Sequence, residues 1–138
     1  MKDNEITKYL NRIGLDDCNN NLEGFVGRDI ELGYDHPFKK IIQKRRGGYC
    51  FELNLLFAAL LRSLGFLPRP VLGRVWLRNP DHTPPRNHLT HLLNLDCKTY
   101  VTDIGFGGTT TRVPLDIDVP DAVEDKDGWV RIVPWREN

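Results

Sequence analysis

The stretch Arg45-Arg46-Gly47-Gly48-Tyr49-Cys50-Phe51-Glu52 separates two kinds of pattern in this 138-residue chain. Immediately after it, Leu53, Leu56, Phe57, Leu60, Leu61 and Leu64 recur at steps of three and four. That is the stripe of a helix packed into a core, and Gly65 is the residue type that ends one. Cys50 therefore falls at the helix N-terminus, where unpaired backbone N–H groups and the positive end of the macrodipole favour a thiolate over a thiol. Two consecutive glycines just before it permit positive φ and close backbone approach. A cysteine so placed is a candidate nucleophile. It is equally a candidate buried structural cysteine, because free cysteine is among the most buried residue types.

Upstream, Asp3 can cap a short helix with Ile6, Tyr9, Leu10 and Ile13 on one side and Gly14 at its end. A polar, turn-rich patch of Asp16, Asp17 and Asn19 to Asn21 follows, then one short extended piece at residues 25–28. Asp35 or His36 caps a second expected helix with Pro37 at its first position, and Phe38, Ile41, Ile42 and Arg45 follow at helical spacing into the double glycine.

Beyond Gly65 the period changes to two. Residues 70–76 alternate as a strand, and a proline-rich polar connection follows. Residues 88–96 and 98–104 read as a hairpin turning near Asp96-Cys97-Lys98, and 113–119 and 129–133 as further strands around a turn at Asp125 to Gly128. Helices first and antiparallel strands after make an α+β chain, with a helical subdomain expected over residues 1–65 and a β-rich one over 66–138.

Composition narrows the function. Lys+Arg 19 against Asp+Glu 19 gives a formal net charge of +0, so no global field recruits nucleic acid or an anionic membrane. No apolar run is long enough to span a bilayer and the N-terminus has no signal-type apolar region, which places the expected protein in the cytoplasm. Cys18, Cys50 and Cys97 are odd in number and contain no C-x-x-C pair, so free thiols are expected rather than a disulfide framework or a metal site.

A cysteine nucleophile needs a base and a group that orients the base. His88 and His91 lie near the start of one expected strand, and Asp103 lies at the end of the next, so a hairpin brings a histidine and an acid together. Side chains alternate along a strand, so His88 and His91 point to opposite faces and one of them serves Cys50. Each also has a structural reading: a hydrogen-bonded strand histidine, and an Asx turn at Asp103. His36 belongs to a helix start and His82 to a loop, and Glu52 suits the first helical turn or a pair with Arg45 or Arg46.

Three segments in order resemble the signatures of the arylamine N-acetyltransferases. They are Arg46-Gly47-Gly48-Tyr49-Cys50-Phe51-Glu52, Pro84-Pro85-Arg86-Asn87-His88 and Thr102-Asp103-Ile104-Gly105-Phe106-Gly107-Gly108. The spacings of 38 residues from Cys50 to His88 and 15 from His88 to Asp103 are also similar to the family's. The resemblance implies a transglutaminase-like, cysteine-proteinase-like core, with a helical part bearing the nucleophile and a β-barrel-like part bearing the histidine and acid. It implies that the family's third domain is absent from this chain, along with an early helix.

Under the same resemblance, Cys50 takes an acetyl group from acetyl-CoA as a thioester and passes it to an arylamine, hydrazine or N-hydroxyarylamine. His88 is the base, with His91 the fallback, and Asp103 orients it. Gly105, Phe106, Gly107, Gly108 and Thr109 approach the coenzyme phosphates, and no metal takes part. Two other readings use these residues. A non-catalytic relative would bind a ligand in the cleft, and a thiol peptidase or transglutaminase-like amidase would turn the same three groups on an amide.

Overall fold

The computed structural model describes residues 33–76, 82–107, 111–126 and 128–135. The expected helix capped by Asp3, the extended piece at 25–28 and Cys18 lie outside them. The described chain runs through α1 (Asp35–Pro37), a π-helical segment (Phe38–Gln43) and α2 (Cys50–Ser63). Six strands follow: β1 (Arg69–Arg74), β2 (Arg86–Leu95), β3 (Lys98–Thr102), β4 (Leu115–Asp116), β5 (Val123–Asp125) and β6 (Gly128–Val130). Helix plus antiparallel sheet is the α+β arrangement that the change of period implied.

The helix expected to run to Arg45 ends sooner. Its last turn widens, with Lys44 N–H donating to the Lys39 carbonyl and Arg46 N–H to the Lys40 carbonyl, and Arg45 turns the chain at φ 53°. Neither Gly47 nor Gly48 takes the positive φ that their sequence permits. Gly48 is needed for space instead, because a Cβ there would stand 2.9 Å from Ile41 Cδ1 and 3.2 Å from Glu52 Cβ.

Helix α2 behaves as its stripe dictates. Leu56 and Leu60 join Ile41 and Ile42 in a buried cluster, and Phe38, Leu53, Phe57 and Ile104 pack against it. Each such side chain contributes roughly 1.5–3 kcal/mol when fully buried. Gly65, at φ 90°, ends the helix: its N–H donates to Arg62 O and Phe66 N–H to Leu61 O, the paired bonds of a Schellman motif.

The main sheet has the order β1-β2-β3-β4 with every neighbour antiparallel. β2 and β3 are joined by a two-residue turn, Asp96 and Cys97, both at positive φ, which matches the right-handed twist of the strands it connects. Between β1 and β2 the register shifts, so that Gly73 faces His88 and Arg74 faces Arg86, leaving Asn87 as the extra residue of a bulge.

The expected barrel-like closure does not occur among the described residues. The four-stranded sheet is open, and β5 and β6 pair with each other as a separate ribbon. The reason is local to β4, where a strand was expected over 113–119. Pro114 precedes its first residue, and Asp118 N–H turns back onto Asp116 Oδ1, so two residues remain to pair with β3.

Candidate active site

Cys50 is the first residue of α2, and Tyr49 before it is extended at φ −90° and ψ 177°. Glu52 accepts from the Tyr49 backbone N–H at 3.1 Å, satisfying one of the helix's unpaired donors. The same carboxylate is held by Lys40 Nζ at 2.8 and 3.0 Å, with both side chains withdrawn from water. Sequence adjacency suggested the neighbouring arginines as partners for Glu52. The fold brings in Lys40, twelve residues earlier, by laying the π-helical segment against α2. Burial, and then the nearby Glu52 and Cys50, push the Tyr49 phenol up from its ordinary value.

The thiol looks toward β2. Cys50 Sγ lies 3.8 Å from the carbonyl oxygen of Asn87, the bulge residue, which immediately precedes His88. That carbonyl belongs to the point where the β1–β2 register shifts. His88 is buried, and its Nε2 is 2.5 Å from Asp103 Oδ2.

Asp103 follows the last residue of β3 and is fixed by more than the histidine. Its Oδ1 accepts from Gly105 N–H at 2.8 Å and from Asn54 Nδ2 at 3.0 Å. The first of these is the Asx turn that the sequence allowed, and it leaves Oδ2 facing His88. Burial pushes the carboxyl up, but the hydrogen bonds from His88, Asn54 and Gly105 outweigh it and hold the acid below its ordinary value of 3.8. An ionised carboxylate only accepts, so His88 Nε2 carries the hydrogen, and Nδ1 is the nitrogen able to take a proton in the neutral ring.

His91 takes the opposite face of β2, as alternation requires. It is almost wholly buried and its Nδ1 has no hydrogen-bond partner. Burial and then the Arg62 cation lower its basicity, against a smaller opposing effect of Asp103. It is a core side chain whose surroundings favour the neutral ring.

Gly105 sits against Cys50: a Cβ there would stand 2.8 Å from Cys50 Cα and 2.8 Å from Asn54 Nδ2. Phe106 sets its ring edge-on to His88, with centroids 5.1 Å apart, and stays partly exposed. Gly107 is exposed at φ 98°. Gly108 and Thr109 lie outside the described residues. Among the described residues, no group of three or more His, Cys, Asp or Glu is placed to hold a metal ion, and no helix is long and apolar enough to cross a membrane.

Two features escaped the sequence reading. The Asn87 bulge has no residue-type signature. Asn54 interrupts an otherwise apolar stripe four residues after Cys50, which puts both on one helix face; that position was its available signal.

A profile of the N-acetyltransferase family matches residues 17–138. The chain belongs to the arylamine N-acetyltransferase family. A relative from Escherichia coli, an arylamine N-acetyltransferase, is 44% identical over 104 residues, covering 75% of this chain and 37% of its own. The solved arylamine N-acetyltransferase of Salmonella typhimurium superposes with a TM-score of 0.82 at 32% identity, over 95% of this chain and 55% of that one. The Mycobacterium marinum enzyme in complex with CoA superposes at 0.74 and 27% identity, over 86% and 53%. The chain thus spans roughly two fifths of the length of the E. coli relative and about half that of the solved structures.

Proposed function

We propose that this chain carries out acyl transfer from acetyl-CoA through a Cys50 thioester to an arylamine, hydrazine or N-hydroxyarylamine. The observation that carries the reading is the placement of the Cys50 thiol against the Asn87 carbonyl while the next residue, His88, is bonded through Nε2 to Asp103. Membership of the family supports it, and so does the CoA bound by the M. marinum relative.

In the first half-reaction, His88 Nδ1 takes the thiol proton and Cys50 Sγ attacks the thioester carbonyl. The carbon–sulfur bond to CoA breaks, and the departing thiolate receives the proton from the imidazolium. In the second, the amine attacks the Cys50 thioester carbonyl and gives a proton to His88, the carbon–sulfur bond to Cys50 breaks, and the departing Cys50 thiolate takes that proton from the imidazolium. Asp103 holds the imidazole in the required tautomer and stabilises its cation without being protonated itself. Gly105, Phe106, Gly107, Gly108 and Thr109 serve the coenzyme side of the cleft, with exposed backbone at Gly107 suited to phosphate oxygens. The helical part and the strands would form a transglutaminase-like core divided near residue 65.

Intact-protein mass spectrometry after mixing with acetyl-CoA tests the proposal. One acetyl group added to the wild-type chain and none to Cys50→Ala is the expected result. A folded sample with no adduct refutes it and leaves a binding role for the cleft.

A further inference from the structure

We infer that Asn54 is the positioning residue of the site, a single side chain that ties together the three chain segments on which Cys50, His88 and Asp103 are carried. The inference rests on the reading of those three residues as one catalytic unit.

Asn54 is fully buried one helical turn beyond Cys50. One amide hydrogen goes to the carbonyl of Leu89, the residue after His88, at 2.7 Å. The other goes to Asp103 Oδ1 at 3.0 Å, and Asn54 Oδ1 accepts from Ile104 N–H at 3.3 Å. These contacts settle the orientation of the amide, because the nitrogen meets two acceptors and the oxygen meets a donor.

The consequence for chemistry lies in the division of labour on Asp103. Asn54 and the Gly105 N–H both use Oδ1, so Oδ2 is the oxygen left to His88 and the carboxylate cannot rotate away without losing two bonds. Because Asn54 stands on the same rigid helix as Cys50, the distance between nucleophile and acid is set by one turn of α2. The Leu89 bond pins β2 beside the base to that same turn. Asn54 touches none of the reacting atoms, and it acts through Asp103 and the strand position of His88.

The test reads Cys50 alkylation by iodoacetamide at pH 6, peptide by peptide, with exposed Cys97 as the internal control. In the wild-type chain Cys50 should react well ahead of Cys97. Asn54→Ala should slow Cys50 at least about tenfold while Cys97 is unchanged. Asn54→Ser, gentler on folding, should give an intermediate loss. In the Asp103→Asn background, Asn54→Ala should add little, since residues acting as a unit are not additive. Equal Cys50 and Cys97 rates in the wild type would remove the catalytic reading itself. A fast wild-type Cys50 left just as fast in the folded Asn54→Ala or Asn54→Ser chain would overturn the inference alone, as would full additivity with Asp103→Asn.

Discussion

Lys40 Nζ and Glu52 Oε1 stand 2.8 Å apart, with both side chains out of water beneath the loop that delivers Cys50. Each of these buried charges is compensated in part by the other, so removing one takes from its neighbour an opposite charge at 2.8 Å. Glu52→Gln and Lys40→Met should each cost about 3–5 kcal/mol and lower Tm by on the order of 10 °C. The double variant should recover much of the loss. Thermal unfolding of the four chains checks this, and purely additive losses would contradict the pairing.

Gly105 is wedged between Cys50 and Asn54, so Gly105→Ala has to displace either the helix end or the loop behind Asp103. Overpacking of this kind costs about 1–3 kcal/mol. Acylation of Cys50 should fall by tenfold or more even where the chain stays folded, measured as the rate of acetyl adduct formation. An unimpaired rate would mean that the loop has freedom to move.

Within the proposed mechanism His88 and His91 separate cleanly. His88→Ala should lower transfer by roughly 10²–10⁴, the usual worth of a positioned acid–base group. His91→Leu should leave it within about threefold, since the His91 ring lies on the other face of β2. Single-turnover acylation of the two variants decides, and a silent His88 beside a severe His91 would reverse the assignment.

His91 also gives the fold an acid limit. Its basicity is lowered by burial, and Arg62 on α2 works in the same direction while Asp103 opposes it. The unfolded chain then binds the proton more readily than the folded one. Stability is unaffected well above the ordinary histidine value of 6.5 and declines as pH falls through and below it. His91→Leu should therefore raise Tm at pH 5 more than at pH 8, which thermal scans at the two values measure.

Asp103 acts at a lower pH. Its carboxyl is held below 3.8, so its contribution to stability is present above that value and is lost as pH falls through the folded value. Asn54→Ala removes one of the bonds responsible. It should move the acid-unfolding midpoint upward, as followed by circular dichroism between pH 5 and 2.

The sequence by itself determined what depends on near neighbours. The three- and four-residue stripe placed α2, Gly65 ended it, and Cys50 came to its first residue because each of these signals acts within a few residues. The hairpin around Asp96 and Cys97 was legible for the same reason, and with it the meeting of His88 and Asp103. The family signatures added the order of the three segments. Only the tertiary structure decided what crosses between elements. It chose Lys40 as a partner for Glu52, gave the positive φ to Arg45 instead of Gly47 and Gly48, opened the bulge at Asn87, and left the sheet unclosed among the described residues. It also gave Asn54, an apparent flaw in an apolar stripe, its partners on two other segments. A buried amide is stable where donors and acceptors converge on it, and those come from residues 35 to 50 positions away, beyond the reach of any local pattern.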